Sequence, residues 1–198
     1  AEWKPIECEF KPWKDTGTYI LAGGTVDELQ TLLDDHIIKT QTVTGSPFAE
    51  PFRARLNEWE EFLKTVQDTV DVWLKVQGVW LYLEPIFASE DIMRQMPVEG
   101  QMFREVDRDW RKTLSSSILD PAALTVFKQN KLLENLTVCN DKLEQVQKGL
   151  IDYLETKRLY FPRFFFLSND NLLEILSETK DPSRVQPHLA KAFEALSG

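Results

Sequence analysis

The side chains that most often carry out chemistry in proteins are few and scattered in this sequence. The histidines are His36 and His188, which lie far apart, and neither falls in a spacing typical of metal ligands, such as one helical turn. A lone histidine without such a spacing is usually structural or solvated. We therefore expect neither imidazole to bind a metal or to act as a general base.

Two local groups of polar residues could also suggest catalysis. Glu58, Glu60 and Glu61 could supply paired carboxylates, but charges at this spacing are ordinary on the solvated face of a helix. The serine run 115–117 has no accompanying histidine and aspartate that would activate a hydroxyl nucleophile. We expect the three carboxylates to lie on a solvated helix face and the serine run to contain no nucleophile.

Phosphate binding has a recognisable sequence pattern, which is also missing here. Gly23 and Gly24 form the glycine pair nearest to such a loop, but no lysine follows at the spacing of the G-x-x-x-x-G-K-[ST] motif. We expect the chain not to bind ATP and to have no catalytic, cofactor-binding or metal-binding residues. It is therefore not predicted to be an enzyme.

Composition limits the class of protein further. The chain has 198 residues, 42% hydrophobic and 11% aromatic, enough for an ordinary core in one or two domains. Its net charge of −9 disfavours nucleic-acid binding, which depends on Lys and Arg contacts to phosphates. No apolar run approaches the ~20 residues of a membrane span, and no signal peptide is recognisable. Cys8 and Cys139 are too few for a disulfide framework, which predicts a soluble protein of a reducing compartment.

The only β signal lies at the start of the chain. Ile6, Cys8 and Phe10 alternate with charged residues, and a turn around Gly17 leads into a second apolar stretch. This pattern predicts a β-hairpin over residues 5–22. Thr25 and Glu28 are spaced as a capping box, which predicts that a helix begins there.

Two long stretches show the heptad spacing of helices that bury one apolar stripe, here called a seam. We expect both seams to be buried in a core and the first helix to stop at Pro85. The first seam consists of Phe52, Leu56, Trp59, Leu63, Val66, Val70 and Trp73, and the second of Leu132, Leu136, Cys139, Leu143, Val146, Leu150 and Tyr153.

Proline residues preceded by a capping side chain predict further helix starts at Ser46-Pro47, Asp120-Pro121 and Asp181-Pro182, and Pro97 predicts another. Long seams need partner helices, and short connections favour antiparallel neighbours. The predicted fold is therefore mainly α, an elongated bundle of antiparallel helices with one N-terminal β-hairpin. Its predicted parts are the hairpin at 5–22, helical regions at 25–84 and 90–157, and an aromatic joint with C-terminal helices at 161–196.

The aromatic segment is the most unusual part of the chain. Residues 161–166 read FPRFFF, and Ser168 or Asn169 can cap the apolar helix that follows. Rings of this size bury roughly 150–250 Å² each when packed. We expect the segment to be extended and to form a helix-to-helix joint that is buried on both sides.

The sequence of this region resembles that of the linker of dynein heavy chains, in which a nearly identical motif precedes a Leu-Leu-Glu-Ile-Leu helix. The resemblance extends in the same order across nearly the whole chain and is closer to axonemal inner-arm members than to cytoplasmic ones. It rests on segments 161–176 (FPRFFFLSNDNLLEIL), 92–97 (IMRQMP), 80–87 (WLYLEPIF), 45–48 (GSPF) and 16–21 (TGTYIL).

The resemblance implies that residues 1–198 are part of a non-catalytic mechanical element. In that family the linker bends and straightens over an AAA+ ring in the same polypeptide, and this motion drives movement along microtubules. The implied partner is that ring, with microtubules reached only indirectly and with no nucleic acid or membrane. The implied location is the cytoplasm and cytoskeleton, in the axoneme of a cilium or flagellum, and any ATPase activity would belong to modules outside this chain.

The resemblance does not specify which residues touch the ring. The hairpin and the aromatic segment supply our candidate contacts, which are Phe10, Tyr19, Arg163, Phe164, Phe165 and Phe166. An alternative from another class stays open, namely a free-standing spectrin-like adaptor that uses the same helices and exposed rings to bind a cytoskeletal protein.

Overall fold

In a computed structural model that describes Trp3 and residues 6–177, the chain is mainly helical and has one β-hairpin, as predicted. Short 3-10 helices at Pro47–Phe52 and Pro162–Phe166 precede two of the α-helices. The elements are β1 (Phe10–Trp13), β2 (Thr18–Leu21), α1 (Gly23–Thr44), α2 (Arg53–Phe87), α3 (Glu90–Gln95), α4 (Pro97–Leu119), α5 (Ala123–Phe127), α6 (Leu132–Tyr160) and α7 (Asn169–Ser177). The predicted C-terminal helix after Asp181-Pro182 lies outside the described residues.

The chain divides into two compact units. The first comprises residues 1–77 and 108–140, and the second comprises residues 78–107 and 141–198. Helices α2, α4 and α6 each contribute residues to both units.

The hairpin belongs to the first unit and is held there by backbone groups. Phe10 lies opposite Leu21 in its antiparallel register, and the turn uses Gly17 at φ +69°. The buried Gln77 amide of α2 accepts the Leu21 N–H at 2.8 Å and donates to the Leu21 carbonyl at 3.2 Å. This side chain completes the hydrogen bonds of a backbone edge that would otherwise be buried without partners.

The core of the first unit lies between the seam of α2 and the apolar faces of α1, α4 and α5. The indoles of Trp73 and Trp110 pack edge to face with centroids 5.5 Å apart, a favoured aromatic geometry. The fully buried residues include Leu29, Leu33, Leu63, Val66, Val70, Trp73, Trp110, Leu114 and Val126.

The second unit has its own core. Trp80 is fully buried and its indole N–H donates to Asp107 Oδ1 at 3.0 Å, while Phe87 stacks on Phe103 at 5.2 Å. The second seam is buried as predicted from Leu132 to Leu150, except that Tyr153 is half-exposed and Leu154 takes the buried position. Its residues up to Cys139 belong to the first unit, and those from Leu143 onward belong to the second. The remaining fully buried residues include Leu83, Ile92, Val106, Leu143, Val146 and Leu172.

The predicted capping box at Thr25 and Glu28 is wrong. Helix α1 begins two residues earlier, at Gly23, with Ala22 at the N-cap and no side-chain cap. The hydroxyl of Thr25 instead accepts the Glu9 backbone N–H at 3.0 Å. The hairpin brings an unpaired backbone donor to this hydroxyl, so a tertiary hydrogen bond replaces the local one.

Two proline predictions are also wrong in position. Pro85 does not stop α2, which continues for two further residues to Phe87, so the N–H donor that Pro85 lacks is missing only within the last turn. After Asp120-Pro121 the helix starts only at Ala123. The Pro121 carbonyl accepts the Cys8 N–H at 2.7 Å, which holds this segment against the strand instead. The starts at Ser46-Pro47 and Pro97 are confirmed.

Candidate functional site

The aromatic segment forms an exposed turn rather than a buried joint. Residues 162–166 form a 3-10 helix in which no residue is buried, so the prediction of an extended segment buried on both sides is wrong. Phe164 packs edge to face on Phe161 at 4.7 Å and is half-buried, whereas Phe165 is 56% and Phe166 is 76% exposed. We call residues 161–166 the aromatic turn.

The winding of the turn explains this exposure. A 3-10 helix has three residues per turn, so consecutive side chains point in three directions and cannot share one buried face. The Phe164 N–H donates to the Phe161 carbonyl, and the Leu167 N–H donates to the Phe164 carbonyl. Phe161 and Phe164 therefore lie above one another, while Phe165 and Phe166 are presented to solvent.

Arg158, at the end of α6, clamps the residues that follow the aromatic turn. Its side chain is only 10% exposed. Its Nη2 donates to the Leu167 carbonyl at 3.1 Å and to Asn169 Oδ1 at 2.7 Å, and its Nη1 donates to Glu155 at 2.8 Å. Ser168 caps α7, as predicted, by accepting the Asn171 N–H. The exposed rings thus sit on a backbone that is fixed at both ends.

The six candidate contact residues do not fall in one unit. Arg163, Phe164, Phe165 and Phe166 belong to the second unit, and both Phe10 and Tyr19 belong to the first. The Phe10 ring is half-buried, 6.2 Å from the Trp73 ring, whereas Tyr19 is 38% exposed. Packing against the core gives Phe10 a structural role. Contact of the six residues with the AAA+ ring remains a prediction.

The first unit contains a groove that the sequence did not predict. The first seam is buried only from Leu63 onward, so the expectation that Phe52, Leu56 and Trp59 lie in a core is wrong: Phe52 is 57% exposed and the other two are half-exposed. These residues line a groove of about 680 Å³, here called the seam groove. Its full lining is Val43, Phe52, Arg55, Leu56, Glu58, Trp59, Phe62 and Lys128.

Aromatic packing fixes the floor of the seam groove. The Trp59 ring lies 6.1 Å from Trp3, 6.4 Å from His36 and 5.5 Å from Phe62. The Lys128 ammonium lies 5.4 Å from the centroid of the Phe62 ring, within the range of a cation–π contact. His36 therefore has the structural role that we expected of a lone histidine, while His188 lies outside the described residues.

The other polar groups singled out in the sequence make structural contacts. Ser115 and Ser117 hydroxyls donate to carbonyls within α4, and Gln129 donates to Ser117 Oγ at 3.0 Å. Glu60 pairs with Lys64 one helical turn away at 2.9 Å. Within the described ranges no cluster of three or more potential metal ligands occurs.

Both cysteines are buried, and for Cys139 this confirms the burial expected at its seam position. Burial raises the pKa of the Cys8 thiol to about 12, so it is protonated at neutral pH and is a poor nucleophile. Among the described helices, none is long and apolar enough to cross a membrane.

Taken together, the described residues form a helical protein whose distinctive features are surfaces rather than a catalytic centre. The whole chain, residues 1–198, matches the family described as dynein heavy chain, N-terminal region 2. The chain belongs to this family.

Individual relatives agree with that assignment. The chain is 56% identical over 197 residues to dynein axonemal heavy chain 12 of Rattus norvegicus, covering 100% of this chain and 6% of the relative. It is 55% identical over 196 residues to human dynein axonemal heavy chain 3, covering 99% and 5%. It is 50% identical over 196 residues to mouse dynein axonemal heavy chain 1, again covering 99% and 5%. The chain thus spans only about a twentieth of the length of these relatives.

Proposed function

We propose that this region is part of the mechanical linker of an axonemal dynein heavy chain, a non-catalytic lever that transmits motion of the AAA+ ring to microtubule-based ciliary movement. The observation that carries the proposal is the family match over residues 1–198. On this proposal the protein works in the axoneme, its direct partner is the ring of the same heavy chain, and microtubules are reached indirectly. The hydrolysis of ATP then belongs to the ring.

The long helices support a mechanical role. Helix α2 has 35 residues and α6 has 29. At ~1.5 Å rise per residue they extend on the order of 50 Å and 40 Å, and each has a buried seam that resists bending. A lever needs this kind of stiffness, because a soft element would absorb the displacement that it has to transmit.

The aromatic turn supports the proposal as a contact surface. Contiguous exposed rings are costly in water and commonly mark an interaction site. Phe165 and Phe166 are exposed side by side, and Arg158 holds the backbone beside them. We propose that the Phe165 and Phe166 side chains, with Arg163 and the half-buried Phe164, contact the AAA+ ring. Tyr19 of the hairpin is proposed as a separate contact with it.

The proposal is tested by removing the two exposed aromatic side chains from a complete axonemal heavy chain that carries this region. In the variant Phe165→Ala/Phe166→Ala, we expect ATP hydrolysis to persist while microtubule gliding slows sharply, because the change affects transmission rather than chemistry. Val98→Ala is a matched control, since Val98 is 67% exposed in the same unit. Gliding at the normal speed in the double variant would exclude the aromatic turn from the transmitting surface.

The free-standing adaptor is the weaker candidate. A match to a dynein heavy chain region along the full chain favours a part of a motor over an independent spectrin-like bundle.

A further inference from the structure

The seam groove of the first unit is an apolar surface continuous with a core. Phe52, Leu56 and Trp59 continue the heptad spacing of the residues that α2 buries from Leu63 onward. Within the described part of the chain no element covers them, and they line about 680 Å³ of open space. This volume is within the roughly 300–1,000 Å³ typical of ligand-binding pockets.

The floor of the groove is built before anything binds. Trp59 is held between Trp3, His36 and Phe62, all with ring centroids within 6.4 Å of its own. Aromatic side chains with few rotatable bonds lose little entropy on binding, so a preorganised aromatic floor favours affinity. The groove can therefore receive a bulky apolar side chain without rearrangement of the first unit.

The charges at the rim indicate what surrounds that side chain. Arg55 and Lys128 line the groove, and neither forms an ion pair with another described residue. Glu58 also lines it, so two cations face one carboxylate. The chain as a whole has a net charge of −9, which makes a cationic rim at an apolar groove a local exception. Such a rim attracts carboxylates and repels cations.

We propose that the seam groove is a docking site for a segment of another polypeptide, in which a bulky aromatic or aliphatic anchor is flanked by acidic residues. The anchor fills the space between Phe52 and Trp59, and the flanking carboxylates pair with Arg55 and Lys128. A second copy of this chain is a different occupant, which the sedimentation test below distinguishes. This site is separate from the ring contact proposed above.

The experiment selects ligands without assuming their sequence. The purified chain is used to select from a library of random short peptides displayed on phage, and enriched peptides are resynthesised with a fluorescent label for binding measurements. We expect enrichment of peptides that combine an aromatic or large aliphatic residue with Asp or Glu. We also expect their binding to weaken as salt screens the rim charges, since the Debye length is about 10 Å at 0.1 M salt.

Matched variants locate the site. Phe52→Ser should weaken binding by at least about tenfold, as loss of an anchor contact does, whereas Phe48→Ser should not, because Phe48 is 86% exposed but does not line the groove. The double reversal Arg55→Glu/Lys128→Glu should abolish binding of acidic peptides and instead enrich basic ones. The exposed pair Lys75→Glu/Lys112→Glu, in the same unit, controls for net charge. All four changes are at exposed positions, so the variants should fold.

Three results would overturn the proposal. The first is a selection that enriches nothing above background. The second is a set of enriched peptides that bind Phe52→Ser as well as the unaltered chain. The third is sedimentation that shows a dimer of the unaltered chain that Phe52→Ser dissociates, which would make a second copy the occupant of the groove.

Discussion

The Arg158 clamp provides the sharpest test of how the aromatic turn is held. Replacing Arg158 with Met keeps most of the side-chain volume but removes every donor. Hydrogen bonds from a charged donor contribute about 1.5–3 kcal/mol each, and the buried Leu167 carbonyl would be left without this partner. The pair with Glu155 adds at most about 1 kcal/mol, because that carboxylate is half-exposed. We expect Arg158→Met to lower the free energy of unfolding by about 2–4 kcal/mol, less than the sum of these contributions, because the variant also avoids the cost of burying a charge.

The loss should be local as well as global. Hydrogen exchange followed by mass spectrometry should show faster exchange of the Phe164 and Leu167 amides, whose acceptors lie within the turn. Arg158→Lys should recover only part of the loss, since one ammonium cannot reproduce the forked geometry. Arg104→Met is the control, because Arg104 is exposed in the same unit. An Arg158→Met variant as stable as this control, with unchanged exchange at the turn, would refute the clamp.

Two further predictions concern the cores. Leu143→Ala should lower the free energy of unfolding by about 2–5 kcal/mol, since Leu143 is fully buried. Ile151→Ala, on the exposed side of α6, should change it by about 0.5 kcal/mol or less. Equal effects of the two substitutions in denaturation would mean that the seam is not packed. Burial raises the pKa of Cys8 from 9.0 to about 12, so the stability that its neutral form contributes is complete below pH 9.0 and is lost as the pH rises towards about 12. In pH-dependent denaturation Cys8→Ala should therefore show a shallower decline across that window, and an identical decline would contradict the assignment.

The helices were predictable from sequence because their signals are local and periodic. The second seam, and the first seam from Leu63 onward, follow from residue spacing. The start at Ser46 follows from its cap chemistry, and the start at Pro97 follows from the preference of proline for the first turn of a helix. The errors occur where a backbone group far away in the sequence forms a hydrogen bond with the segment. Thr25 bonds Glu9 rather than its own helix, and Pro121 bonds Cys8, and neither partner can be identified before the hairpin is placed.

The surfaces were less predictable than the helices. Heptad spacing indicates which face of a helix is apolar, but it does not indicate where the covering partner ends. Phe52, Leu56 and Trp59 continue the seam as regularly as Val66 does, yet only the later residues are covered. Similarly, the sequence at 164–166 shows three consecutive aromatic residues, but it does not show that they wind as a 3-10 helix that exposes Phe165 and Phe166, with Arg158 bonded to the Leu167 carbonyl that follows.

On the proposed lever function, the aromatic turn has to be both exposed and stiff, and these requirements usually conflict. Exposed loops have few packing contacts, so their backbones yield easily. The aromatic turn avoids this conflict, because Arg158 ties Leu167 and Asn169 to the end of α6 while Phe165 and Phe166 stay in solvent. A load applied to these rings therefore reaches a helix of 29 residues through a charged, largely buried side chain rather than through a free loop. A buried arginine at this position is costly to desolvate, and its cost is understandable if the turn has to keep its shape under load.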